Sequence, residues 1–312
     1  MKNMMAIICL VVLMGSCTHK DLCYDHPHTL YLDVNFDWSS APEASPASMS
    51  LYLFPEDGGK TERYEFTDCS GGRIRIMPGT YHAICMNSDT ETATCINTGS
   101  FHEFCINAKD ALSMGSLSMF GIGTKDVPVR SEGERMAASP EPLWSSSMEG
   151  IEIIEDGQSI TLQPENKICN FTVSIEDVIN HECIKGLSGC ISTMAGGFIA
   201  GPQTLSEERV TIPFEASIDR EKKTIKGAFT SFGHCPVEKR KHYLIIYVIL
   251  TDGSKWYQTY DVTDQVHDAS DPYNIHIVLE EISVPKPEGG NSSGGFRPTV
   301  GDWNSIEIEI DM

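Results

Sequence analysis

The sequence predicts an all-β protein built as two consecutive β-sandwiches followed by a separate C-terminal strand. Three observations carry this. Apolar and polar residues alternate with a period of two in segment after segment, the spacing of a strand with one buried face. Gly, Pro, Asn and Asp punctuate those segments at short intervals and mark turns. Nowhere does a helical period of 3.6 persist beyond a turn or two, so the strands have little to cover them except one another. At 312 residues the chain is long for one such sandwich and suits two.

The elements follow in order. Leu30, Leu32, Val34, Phe36 and Trp38 alternate with Tyr31, Asp33, Asn35 and Asp37 and define the first strand. Met49, Leu51 and Leu53 repeat the pattern, and Gly58-Gly59 turns the chain. Tyr64 and Phe66, then Ile74 and Ile76, continue it across a second turn at Gly71-Gly72. Pro78-Gly79 leads into a strand over 80–86. Residues 88–115 are less regular, with a short helix expected over 108–114. Residues 117–122, 151–154 and 160–162 read as strands, and 131–142 as a polar loop containing proline.

The pattern restarts after Pro164-Glu165-Asn166, where Cys169, Phe171, Val173 and Ile175 share one face of a strand. Residues 177–185 read as one or two helical turns capped by Asp177. Strands are expected over 187–194, 210–218, 225–232 and 242–250. Thr251-Asp252-Gly253-Ser254 carries the Asp-Gly hairpin signal into a strand over 255–262, and 274–282 closes the block. The sandwiches are thus expected at 29–165 and 166–284. Residues 285–295 are rich in Pro, Gly and Ser and read as a flexible tether. Beyond it, Trp303 precedes Ile306, Ile308 and Ile310, which alternate with Glu307, Glu309 and Asp311. A lone alternating strand on a tether needs a sheet edge, in its own body or in a neighbouring subunit, so these three isoleucines are candidates for strand exchange.

The N-terminus has its own logic. Lys2 precedes an apolar run over 4–14 that ends at Gly15-Ser16-Cys17. That run is far short of the roughly 20 residues a permanent membrane helix needs. A charged start, a short apolar stretch and small residues at the end describe an export signal over 1–16. The cysteine that follows makes it a lipoprotein signal: the Cys17 thiol receives the lipid, and 17–28 form a lipidated leader. No later stretch is long and apolar enough to span a bilayer, so the lipid alone holds the mature body to the membrane.

Acidic residues outnumber basic ones by 44 to 23, for a net charge of −21. This excludes a nucleic-acid partner, which requires a basic footprint. Of eleven cysteines, Cys9 leaves with the signal and Cys17 takes lipid. The remaining nine form no C-x-x-C pair, and those on strands are read as reduced, buried thiols. His19, His26 and His28, with Asp21, Cys23 and Asp25, sit in a short leader that offers little preorganisation for a metal. No G-x-S-x-G, H-E-x-x-H, Walker loop or complete G-x-G-x-x-G occurs. We therefore expect no enzyme, cofactor or metal.

The segment His19-Lys20-Asp21-Leu22-Cys23-Tyr24-Asp25-His26-Pro27-His28 resembles the leader of a Bacteroidales lipoprotein family of unassigned function. The resemblance extends through Met77-Pro78-Gly79-Thr80-Tyr81, Leu187-Ser188-Gly189, Met194-Ala195-Gly196-Gly197, Asp261-Val262-Thr263-Asp264-Gln265-Val266, Gly294-Gly295 and Asp302-Trp303. That family is similar to the minor fimbrial anchor lipoproteins of Bacteroidetes, whose domains are transthyretin-like, Greek-key sandwiches. The resemblance implies an outer-membrane, cell-surface role in pilus anchoring or length control, with fimbrial subunits as partners. The alternative is a glycan- or ligand-binding surface lipoprotein of a nutrient-uptake system, in which Trp38, Trp144, Trp256 and Trp303 supply an aromatic sugar platform.

Overall fold

The alternations become strands wherever one side of the segment finds a partner sheet. A computed structural model describes residues 29–128, 133–236, 240–287 and 303–307. In the first part these are β1 (Leu30–Phe36), β2 (Met49–Pro55), β3 (Glu62–Phe66), β4 (Gly71–Ile76), β5 (Gly79–Asn87), β6 (Ala93–Ile96) and β7 (Cys105–Ala108). Then come β8 (Arg135–Met136), β9 (Trp144–Ile153), β10 (Gln158–Leu162) and β11 (Glu165–Asn166). Next are β12 (Cys169–Ile175), β13 (Val178–Ile179), β14 (Ile184–Ala195), β15 (Gly197–Ile199), β16 (Thr204–Leu205), β17 (Arg209–Asp219) and β18 (Thr224–Ser231). The last strands are β19 (Tyr243–Leu250), β20 (Lys255–Asp261), β21 (Asn274–Leu279), β22 (Ile282–Ser283) and β23 (Asn304–Glu307), with helix α1 (Thr263–His267) after β20. The all-β expectation holds. Among the described residues no helix is long and apolar enough to cross a membrane.

In the first half a three-stranded sheet, β10-β1-β4, faces a five-stranded one, β11-β9-β5-β2-β3. Leu32, Val34, Leu51, Leu53, Ala83 and Ile153 fill the space between them. The chain turns into β4 at Gly71, which has φ +123° and whose missing Cβ would lie 1.9 Å from the Val34 carbonyl oxygen. Only glycine fits there. The far face of the five-stranded sheet is also covered: Tyr52, Phe54, Ile84 and Met86 join Phe101, Phe104 and Ile106 in a second core.

That second core runs into the other half of the chain. Its large sheet has the order β21-β12-β18-β17-β14-β19-β20-β23, with β8 beside β17. Strand β17 passes between two layers, pairing with β14 over 209–215 and with β18 over 216–219. Phe171 and Phe214 stack on either side of Phe229, with centroids 4.7 and 5.1 Å from it. Strands also pair across the midpoint of the chain. In the four-stranded sheet β16-β15-β7-β6, Phe198 lies opposite Ile106, and β8 runs parallel to β17 with Arg135 opposite Val210.

Several local expectations change: β1 ends at Phe36 and Trp38 opens a 3₁₀ turn, and 274–282 divides into β21 and β22. Residues 108–114 form no helix. The helical turn comes later, as a 3₁₀ segment over Gly115–Phe120, where a strand was expected. Gly115 and Gly121 both take positive φ and bracket it, and their freedom from a Cβ lets the chain close a tight turn that buries Met114 and Leu117. The segment after Ile175 enters a short strand at Val178, and its 3₁₀ turn, His181–Cys183, starts from Asn180 instead of Asp177. Both Asp177 and Asn180 sit at positive φ, which ends any continuous helix.

Eight cysteines fall within the described residues and none is paired. Burial pushes the thiols of Cys85 and Cys190 up to about 11 and about 12, so they remain protonated and pack as small hydrophobes. Cys23 lies outside the described residues.

Candidate strand-exchange site at the sheet edge

The large sheet has two edges, and the sequence closes them differently. At β21, helix α1 brings Gln265 alongside the outermost strand. Its side-chain amide donates to the Val278 carbonyl at 3.0 Å and accepts from the Val278 N–H at 2.8 Å. One amide thus copies the pattern of a neighbouring strand and stops the ladder.

At β20 the closing element is a strand. Residues Asn304–Glu307 lie parallel to it, with Asn304 opposite Trp256 and Ile306 opposite Gln258. The alternating tail therefore lies on a sheet edge of its own body. Ile308 and Ile310 are outside the described residues.

Trp303 fixes where this strand begins. Its indole N–H donates to the Asp126 carbonyl oxygen at 2.7 Å. The ring meets Tyr247 edge-on at 5.3 Å and Tyr257 at 6.4 Å, and Lys255 Nζ stands 5.9 Å from its centre. The floor below is a small apolar cluster of Met114, Leu117, Ile122, Val127, Ile245 and Ile249. It forms because β19 is apolar on both faces: Leu244, Ile246 and Val248 enter the main core while Ile245, Tyr247 and Ile249 face this one. Residues 114–127 cover it.

Tyr247 ties the cover down. Its hydroxyl donates to the Pro128 carbonyl at 2.5 Å. With that proton committed, the Cys190 thiol donates to the Tyr247 oxygen at 3.2 Å. Burial raises the Tyr247 phenol far above its ordinary value, so it serves as a fixed neutral donor. Sequence reasoning found the tail strand but missed Asp126, Tyr247 and Tyr257. The only available signal was the unbroken apolar run of β19, which indicates a strand covered on both sides.

The four tryptophans do not share a surface. Trp38 donates to the Cys69 carbonyl at 2.7 Å and meets Trp144 edge-on at 6.3 Å. Trp256 is 2% exposed, and Trp303 is engaged at the edge. Cys17 and the leader residues His19, His26 and His28 lie outside the described residues.

Fold and edge together define an all-β protein that holds its own C-terminal strand on a sheet. The chain belongs to the family described as a domain of unknown function (DUF5119), which matches residues 16–215. It is similar to a Bacteroides ovatus protein provisionally named fimbrium anchoring subunit Fim4B, at 20% identity over 98% of each chain. Among solved structures it is similar to a protein of Bacteroides ovatus provisionally described as an adhesin. The TM-score is 0.62 at 18% identity, covering 87% of this chain and 98% of that one. It is also similar to the fimbrial anchor protein Mfa2 of Porphyromonas gingivalis, with a TM-score of 0.51 at 13% identity, covering 81% of this chain and 91% of that one.

Proposed function

We propose that this protein is a lipid-anchored structural subunit of a fimbrium, an anchor or accessory subunit that works by contact and without catalysis. One observation carries the reading: the β20 edge is filled by a strand from the remote C-terminus, while the β21 edge is stopped by a local side chain. An edge closed through a Pro-, Gly- and Ser-rich segment is one that a strand from another subunit can take over. Main-chain hydrogen bonds give such an exchange its affinity, and alternate side chains give it register. Ile306, Ile308 and Ile310 are the side chains assigned that role. The similarity along the whole chain to a protein named as a fimbrium anchoring subunit supports the same reading.

In this reading 29–165 and 166–284 are transthyretin-like, Greek-key sandwiches, although strands pair across their boundary. Residues 1–16 are removed, 17–28 become the leader, and lipid on Cys17 holds the protein in the outer membrane, facing the cell surface. Its partners are fimbrial subunits.

Deleting residues 296–312 tests the exchange. Pull-down of the co-expressed major fimbrial subunit should be lost while circular dichroism still reports a folded sheet protein. Retained capture refutes strand exchange. Mass spectrometry of the mature N-terminus tests the anchor separately: an unmodified Cys17 thiol refutes it.

A further inference from the structure

Three histidines that lie far apart in spacing meet at one end of β19. His242 immediately precedes β19, His267 ends α1, and His234 lies in the segment between β18 and β19. Their ligand atoms all lie within 4.8 Å of one another. We infer that His234, His242 and His267 form a three-histidine site for a divalent transition-metal ion of the Zn²⁺ type, which cross-links the end of α1 to the sheet.

The geometry supports this at each residue. His242 Nδ1 is 3.1 Å from the Ser192 carbonyl oxygen. Only an N–H meets a carbonyl, so Nδ1 carries the proton and Nε2 presents its lone pair. That is the outer-shell arrangement metal-binding histidines adopt, in which a backbone carbonyl fixes tautomer and ring orientation. His242 Nε2 lies 3.2 Å from His267 Nε2. An ion with tetrahedral Zn–N bonds of about 2.0–2.1 Å holds its ligand atoms about 3.3–3.4 Å apart. His234 Nδ1 is buried and has no hydrogen-bond partner, a costly condition for a ring nitrogen that gains nothing in exchange.

The scaffold is equally fixed. A β-bulge in β14 between Ile191 and Met194 turns the Ser192 carbonyl toward the site. It is held by Thr193, a β-branched residue at φ +65°, a backbone state that needs outside support. Glu134 supplies it, accepting from the Thr193 N–H at 3.0 Å and from the Thr211 hydroxyl at 2.8 Å. His234 is placed by its bridge to Met194. His242 is placed by Val262 N–H donating to its carbonyl at 2.9 Å and by its own N–H donating to Thr263 Oγ1 at 2.9 Å. Imidazole donors suit Zn²⁺, Cu²⁺ and Ni²⁺. His267 is exposed, so the fourth position opens to solvent.

The test uses the full-length chain, stripped with a chelator and titrated with Zn²⁺ by calorimetry, with the melting temperature read in parallel. The wild type should bind, and binding should raise Tm in proportion to ligand excess. His267→Ala, at an exposed position, should remove one equivalent of Zn²⁺ or weaken it at least about tenfold, the loss expected even from an outer-shell partner. His234→Ala should do the same. The variant with His19, His26 and His28 all replaced by Ala should keep that equivalent. Unchanged stoichiometry and affinity in His267→Ala, or loss of the equivalent with the leader histidines, refutes the site. Because Co²⁺ reports thiolate ligands by its charge-transfer absorption, a thiolate spectrum for the His267-dependent equivalent also refutes it.

Discussion

The two edges of the large sheet present the same physical problem and receive opposite solutions. At β21 the unpaired N–H and C=O of Val278 are taken by Gln265, a residue only thirteen positions away that arrives on a rigid helix. At β20 the partner is β23, some 45 residues further along and preceded by the Pro-, Gly- and Ser-rich stretch. Local closure costs little chain entropy and leaves no strand to donate. Remote closure leaves a complete strand whose pairing is intramolecular only while the tail stays docked. The comparison separates an edge sealed by a nearby side chain from one closed by a strand remote in sequence.

Trp303→Ala should give the largest break in this contrast. It removes the aromatic contacts with Tyr247 and Tyr257 and the bond to Asp126, together about 2–3 kcal/mol of local docking. Hydrogen exchange of the β20 amides facing β23 should accelerate at least tenfold, while β21 amides keep their protection. Equal acceleration at both edges would mean that Trp303 supports the whole sheet.

Tyr247→Phe comes next. It leaves the Pro128 carbonyl without its donor and the Cys190 thiol without its acceptor, at about 1–2 kcal/mol in urea unfolding. The indole of Trp303 keeps its ring contact, so tail docking read by exchange should change less than global stability. Gln265→Ala should cost about 1 kcal/mol or less, since the freed groups of Val278 can reach water. Its informative readout is self-association by analytical ultracentrifugation, because an open β21 edge invites pairing. A strictly monomeric variant would show that the amide is not what protects that edge.

The smallest effect is pH-dependent. The side chain of Asn274 and the N–H of Tyr273 hold the Asp271 carboxyl below its ordinary range at the turn into β21. A depressed folded value means that the unfolded chain binds more protons as pH falls. This contribution is therefore fully present above the unfolded carboxylate range and is lost as pH drops through the folded value, below 3.8. Between pH 6 and pH 3, Asp271→Asn should lose slightly less urea midpoint than the wild type. An identical loss would show that the carboxylate contributes nothing to the turn.

How far the sequence could be read depended on how many faces each strand buries. In β1 only one face is covered, and Leu32, Val34 and Phe36 are buried against exposed Tyr31 and Asn35. The alternation gives both the strand and its orientation. In β19 every residue after Tyr243 is buried. A continuous apolar run reveals a strand but not which residues face which core. The cover for its second face comes from 114–127, a Ser- and Gly-containing stretch whose pattern suggests a strand over 117–122 but which folds as a 3₁₀ turn over Gly115–Phe120. Its burial depends on a surface more than a hundred residues away.

By itself, then, the amino-acid order determined the all-β class, the hairpin at Asp252-Gly253, the strands with one wet face, and a terminal alternating segment in need of an edge. These rest on local conformational preference and on the period of the pleat, which neighbouring residues set. Only the tertiary structure decided that strands pair across the middle of the chain, that Trp303 starts the tail strand on Tyr247, and that His234, His242 and His267 converge. Such meetings are fixed by which buried faces must share a core. That condition is imposed by packing in three dimensions and leaves no period in the sequence.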